Sequence, residues 1–187
     1  MTVDLSWLAT YRSSEPHFGL ERMEAILALR GNPHLVCPVI HLAGTNGKGS
    51  TIAHYLALYR DLLERNSSDQ TLLGLTEFEL ITAMAFDYFS AEKPDVVIME
   101  VGMGGRLDST NVCQPILTAI TTIGLDHVAL LGPDVASIAR EKAGIIKEKI
   151  PVLLGRIELE AQEVIVQEAH RLSAPVEVLG QDFLVCY

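Results

Sequence analysis

The feature that most constrains this chain is residues 41–51, "HLAGTNGKGST", which follow directly on the apolar run "PVI". Gly44, Gly47 and Gly49 fall within six positions and give up side-chain packing between a buried strand and the start of a helical pattern. A simple turn needs one such residue. Several bare amides converging at a helix N-terminus do something else: with the helix dipole they favour negative charge, and Lys48 adds a full positive charge beside them. In sheets whose strands alternate with helices, ligands sit at the carboxyl ends of the strands. The run Gly44, Thr45, Asn46, Gly47, Lys48, Gly49 and Ser50 therefore predicts an anion site, with glycine amides and Lys48 facing the anion and the Ser50 or Thr51 hydroxyl able to stabilise magnesium or a phosphate oxygen. The general pattern G-x-x-x-x-G-K-[ST] is missed twice, at Leu42 and by Gly49 standing between Lys48 and Ser50.

The remaining periodicity agrees with an α/β fold. Residues 19–30, "GLERMEAILALR", place Leu20, Met23, Ile26, Leu27 and Arg30 at helical spacing before a Gly31-Asn32-Pro33 stop. Helical patterns follow from Gly49 to about Arg65 and from Thr76 to about Ser90. The second opens on the capping box "TEFE" and is expected to bury Phe78, Ile81, Ala85 and Phe89. "VCPVIHLA", "DVVIMEV", "ILTAITTI" and "PVLLG" read as strands, the second being a continuous apolar run of the kind found where a parallel sheet is covered on both faces. "GLDHVALLGPD" reads as a loop, and helices are expected from Val135 to about Ile146 and over 158–172, with Leu159, Val164, Ile165 and Leu172 on the apolar side of the latter. "PVEVLG" and "DFLVCY" are further strand candidates. Together these predict a doubly wound, mostly parallel sheet with helices on both faces, P-loop NTPase-like, in one domain over 1–187.

Composition removes several function classes. A net charge of −10 lacks the basic footprint of nonspecific nucleic-acid binding, so no nucleic-acid partner is expected. Cys37, Cys113 and Cys186 are odd in number and far apart, which fits neither a disulfide framework nor a zinc site. The N-terminus has no basic start followed by an apolar block, and no apolar run reaches the ~18 residues of a membrane span. A soluble, cytoplasmic chain without a membrane partner is expected.

Two further loops repeat the strand-end pattern. "MEVGMGGRLDSTN" sets Glu100 at the end of a buried strand, where a carboxylate is out of place unless it is paired or holds a cation. Magnesium takes such hard oxygen ligands and completes its shell with phosphates. "TTIGLDHVALLG" sets Asp126 and His127 just after another apolar strand. Ordinary readings stand beside these: an ion pair between Glu100 and Arg106, a packing role for His127, and a solvated helix position for Lys142 in "REKAGIIK".

In these segments the chain resembles the Mur ligase superfamily, specifically its folylpolyglutamate synthase branch with the bifunctional dihydrofolate synthases. The residues that carry the likeness are "HLAGTNGKGS", "TEFELITAMAFDYF", "DVVIMEVGMGGRLDSTNV", "TAITTIGLDHVALLG" and "IAREKAGIIK", in the family's order and covering about 17–180. The family's own loop, GTNGKGS, includes the glycine that breaks the general pattern. The resemblance implies an incomplete Mur ligase central domain and an ATP-dependent amide ligation of a folate or dihydropteroate carboxylate to L-glutamate through an acyl phosphate. It implies Lys48 on the β- and γ-phosphates, Ser50, Glu100 and His127 around Mg²⁺, and Lys142 as a carbamylated lysine near the acyl phosphate, so that Lys48, Lys142 and His127 carry the chemistry. It also implies a monomer.

Against the family's pattern, roughly forty residues are expected to be lacking near 57–62, together with the C-terminal domain, which puts a serine ligand to magnesium and part of the folate site in doubt. Another Mur-type amide ligase and a non-catalytic P-loop nucleotide-binding protein remain as alternatives.

Overall fold

The computed structural model describes residues 19–43, 53–72, 74–125 and 128–184. The chain forms two compact units, one made of 38–46 with 96–187 and the other of 1–37 with 47–95.

The first unit is built on five strands: β1 (Val39–Ala43), β2 (Val97–Glu100), β3 (Pro115–Ile120), β4 (Val152–Leu154) and β5 (Val176–Val178). All neighbours pair in parallel, in the order β2-β1-β3-β4-β5. The chain leaves β1 to one side for β2 and returns to its other side for β3. The winding therefore reverses between β1 and β3, and such a reversal opens a crevice at the carboxyl ends of the strands. Three helices belong to this unit: α4 (Val128–Leu131), α5 (Val135–Ala143) and α6 (Leu159–Arg171). Asp134 caps α5, its carboxylate accepting the Ser137 N–H at 2.7 Å. Ala139 and Ala143 of α5 and Ala161 and Ala169 of α6 are buried in the core with Ile120, Val152 and Leu154, so small residues stand where these helices enter it.

The second unit is helical, with α1 (Glu21–Leu29), α2 (Ala53–Arg65) and α3 (Glu77–Glu92). Met23, Ile26, Leu27, Tyr59 and Leu80 are fully buried in it. Two ion pairs tie α1 to α3, Arg22–Glu79 at 2.9 Å and Arg30–Asp87 at 2.7 Å. Glu79 has a second task, because its other carboxylate oxygen accepts the Thr76 N–H in the expected capping box.

Several expectations from the sequence are corrected. In α3 the buried apolar positions are Leu80, Ala83, Met84 and Phe86; Phe78 is exposed, and Ile81, Ala85 and Phe89 are only partly buried. Apolar residues run around this helix, so periodicity does not choose a face, whereas the ion pairs of Glu79 and Asp87 do. The run "DVVIMEV" forms the sheet's edge strand β2, and Ile98 is 64% exposed, so this strand is not covered on both faces. "VALL" in the expected loop is a helical turn, Leu159 is 75% exposed at the start of α6, and Phe183 makes only an isolated bridge to Leu179.

Candidate functional site

The site is assembled by strand register. Leu42 pairs with Glu100 and Ala43 with Ile120, so the carboxyl ends of β2, β1 and β3 lie side by side. Adjacent strands are about 4.8 Å apart, so the three loops that leave these ends start within one small region. From these ends the chain enters the segments after Ala43, Glu100 and Ile120, the three that the sequence singled out; residues 44–52 and 126–127 lie outside the described residues. The strand ends are also cross-linked: Val101 N–H donates to the Leu42 carbonyl at 2.7 Å, and Thr121 donates to the Ala43 carbonyl through its hydroxyl at 3.4 Å. Gly155, after β4, lies so close to Thr121 that a Cβ there would collide with the Thr121 carbonyl.

The loop 101–108 is held by Asp108. One carboxylate oxygen accepts the Thr110 N–H at 3.0 Å and the Thr110 hydroxyl at 2.6 Å; the other accepts the Met103 N–H at 2.8 Å. Asn111 closes the loop from the opposite side, donating to the carbonyls of Arg106 at 2.9 Å and Gly144 at 3.1 Å. Lys147 in turn donates to the side chain and carbonyl of Asn111. The loop packs directly on the end of α5. Arg106 N–H donates to the Glu141 carbonyl at 2.8 Å, and a Cβ on Gly105 would stand 3.0 Å from Lys142 Cα.

These contacts decide two of the ordinary readings. Arg106 pairs with Glu141 at 2.9 Å, and among the described residues no ion pair involves Glu100. Lys142 is 7% exposed, so it is not a solvated helix lysine. Glu100 is half-buried at the end of β2, a hard oxygen donor with no cationic partner among the described residues, which fits a place beside a divalent ion. Ser50 and His127, the other two candidate magnesium ligands, lie outside the described residues, as do Lys48 and the rest of Gly44–Ser50. Among the described residues there is no group of three or more His, Cys, Asp or Glu able to hold a metal by itself, and no helix long and apolar enough to cross a membrane.

Beneath the loop lies a buried polar cluster that sequence reasoning missed. His41, in β1, is fully buried with its Nε2 2.8 Å from the Thr110 hydroxyl. Burial, helped by the positive charge of Lys147, pulls its pKa down to about 4, so the ring is neutral at pH 7. Burial also lowers the pKa of Lys147 and pushes the Cys113 thiol up to about 11. The available signal was a histidine in an otherwise apolar strand and the Asx-turn pattern of "LDSTN"; both show that a polar partner is needed, but neither says which.

Comparison with known proteins places this geometry in a wider set. The family model described as the Mur ligase middle domain matches residues 42–171. The dihydrofolate synthase/folylpolyglutamate synthase of Bacillus subtilis (strain 168) is 40% identical over 202 residues, covering 86% of this chain and 47% of that protein. The protein of the same name from Escherichia coli (strain K12) is 34% identical, covering 83% of this chain and 45% of its own length. Among solved structures, the apo form of L. casei FPGS matches with a TM-score of 0.89 at 28% identity, over 98% of this chain and 55% of that one. An FPGS–AMPPCP–folate complex matches with a TM-score of 0.84 at 30% identity, over 97% and 55%. The chain thus spans about half the length of the relatives it resembles.

Proposed function

The chain belongs to the Mur ligase middle-domain family, and from that premise we propose that it is the ATP-binding domain of an ATP-dependent carbon–nitrogen ligase that joins a folate or dihydropteroate carboxylate to L-glutamate. The observation that carries this reading is the alignment of three strand ends at the point where the sheet's winding reverses. The names of the B. subtilis and E. coli relatives, and the nucleotide analogue and folate in the FPGS complex, support the choice of substrates.

The chemistry explains why the site needs these groups. A carboxylate is a poor acyl donor until its oxygen is made a leaving group. A folate carboxylate oxygen attacks the γ-phosphorus of ATP, releasing ADP and forming an acyl phosphate; the glutamate amine then attacks the acyl carbon and expels phosphate. Protein groups contribute positioning and charge neutralisation. The amides of Gly44–Ser50 would receive the phosphates, with Lys48 on the β- and γ-oxygens. Ser50, Glu100 and His127 would hold magnesium, which when bound neutralises phosphate charge. Lys142, seated under the loop 101–108, is proposed as the position of a carbamate.

The ligase activity is proposed for a protein of the relatives' length, in which these residues form the ATP-binding domain. The alignment to the B. subtilis protein runs over 202 residues yet takes in 86% of a chain of 187, which supports an additional internal segment in the relative. The 187 residues alone are expected to be inactive as a ligase and weak at binding Mg-ATP, and the whole protein is proposed to be a cytoplasmic monomer. The test is phosphate release by this chain fused to the second half of the B. subtilis relative. Release that requires a folate and L-glutamate together supports the ligase. Release that needs neither favours a P-loop nucleotide-binding protein of another kind.

A further inference from the structure

The hydrogen-bond chain below the loop 101–108 fixes more than its own residues. Asp108 is a carboxylate and can only accept, and the Thr110 hydroxyl reaches it at 2.6 Å, so the single hydroxyl proton is committed to Asp108. The Thr110 oxygen therefore presents only lone pairs to His41 Nε2, 2.8 Å away, and His41 must be the donor. That leaves Nδ1 as a bare lone pair, buried and with no hydrogen-bond partner among the described residues. Either tautomer leaves Nδ1 unpartnered here, so it is the proton that Nε2 must supply to Thr110 that selects between them. The tautomer is imposed by Asp108 through Thr110.

The members of this chain sit on two different parts of the site. His41 lies on β1, two residues before its end at Ala43, from which the chain enters Gly44–Ser50. Thr110 and Asp108 follow the loop that begins after Glu100, and Asp108 also holds the backbone of that loop through Met103. We propose that His41, donating through Nε2 to Thr110 and so to Asp108, is a positioning residue that locks the Glu100 loop to the strand feeding the phosphate cradle. It acts through Thr110 and Asp108 rather than on nucleotide or metal directly. It fixes the loop that follows Glu100, the carboxylate that would hold magnesium, against β1. This role rests on the ATP-binding reading given above.

Two measurements test it. In a long-range proton–nitrogen NMR correlation of histidine-labelled protein at neutral pH, His41 should show a pyrrole-like Nε2 and a pyridine-like Nδ1; the reverse pattern overturns the assignment. The second is titration with ATP, with and without magnesium, of the wild type, Thr110→Val and Thr110→Ser. Losing a group that orients a metal ligand typically weakens metal-linked affinity at least about tenfold. Thr110→Val should therefore bind Mg-ATP about tenfold more weakly while metal-free ATP changes less than about twofold, and Thr110→Ser should restore binding. A merely destabilised fold would lower both affinities by the same factor, and that result overturns the positioning role, as does Thr110→Val binding Mg-ATP like the wild type. A wild-type chain that binds no nucleotide in either condition overturns the ATP-binding reading itself, and this proposal with it.

Discussion

Replacing Gly105 by alanine tests the packing that joins the loop 101–108 to α5. An added Cβ would lie 2.6 Å from the Glu141 carbonyl oxygen, 3.0 Å from Lys142 Cα and 3.1 Å from Ile145 Cγ2. A relaxed carbon–oxygen contact is about 3.3 Å, so the two segments must part by roughly 0.7 Å. Two of the three obstacles are backbone atoms and cannot rotate away. The hydrogen bond from Arg106 N–H to the Glu141 carbonyl, now 2.8 Å, spans the same gap and would be lost. Overpacking costs about 1–3 kcal/mol and the hydrogen bond about 1 kcal/mol, so Gly105→Ala should destabilise the sheet unit by about 2–4 kcal/mol. For a chain of this length each kcal/mol moves Tm by about 2–4 °C, so a drop of very roughly 5–15 °C is expected in a calorimetric or fluorescence melt. Gly124→Ala is the control. Among the described residues nothing lies within 4 Å of its added Cβ, so it should stay within about 0.5 kcal/mol of wild type. Should Gly105→Ala melt with the control, the close approach of loop and helix is wrong, and Lys142 is not seated beneath the loop.

Other outcomes follow from the same contacts. Because the folded pKa of His41 is near 4 against an ordinary 6.5, the unfolded chain binds the proton more readily between those values; stability is lost as pH falls from about 6.5 to 4, by up to about 3 kcal/mol. Urea midpoints across that range should fall more steeply for wild type than for His41→Gln, and coincident slopes would contradict the shift. Glu79→Ala should cost about 3 kcal/mol, since it strands the Arg22 guanidinium, which is 9% exposed and has one nitrogen already without a partner among the described residues. Thr76→Ala, which removes only the cap, should cost about 1 kcal/mol by thermal melt. The Cys113 thiol, fully buried with its pKa near 11, should react with an aromatic disulfide only as fast as the chain unfolds, measured in a Cys37→Ser/Cys186→Ser background.

The sequence by itself determined the order of most of the described elements and marked three segments at strand ends, of which 101–108 lies wholly among the described residues. Turn chemistry, capping and apolar runs are short-range signals: the Thr76 capping box, the Gly31-Asn32 stop and the "VIHLA" strand all stand where local reading put them. It did not determine the partners of groups that are far apart along the chain. The buried face of α3, the exposed position of Ile98 on an edge strand, the pairing of Arg106 with Glu141 and the chain from Asp108 through Thr110 to His41 were decided only in the folded molecule. His41 and Thr110 are separated by 69 positions, and nothing local to either residue specifies the other. Strand order brings them together. A buried polar group must find its counterpart wherever the sheet delivers one, so its identity is a property of the topology rather than of the neighbouring sequence.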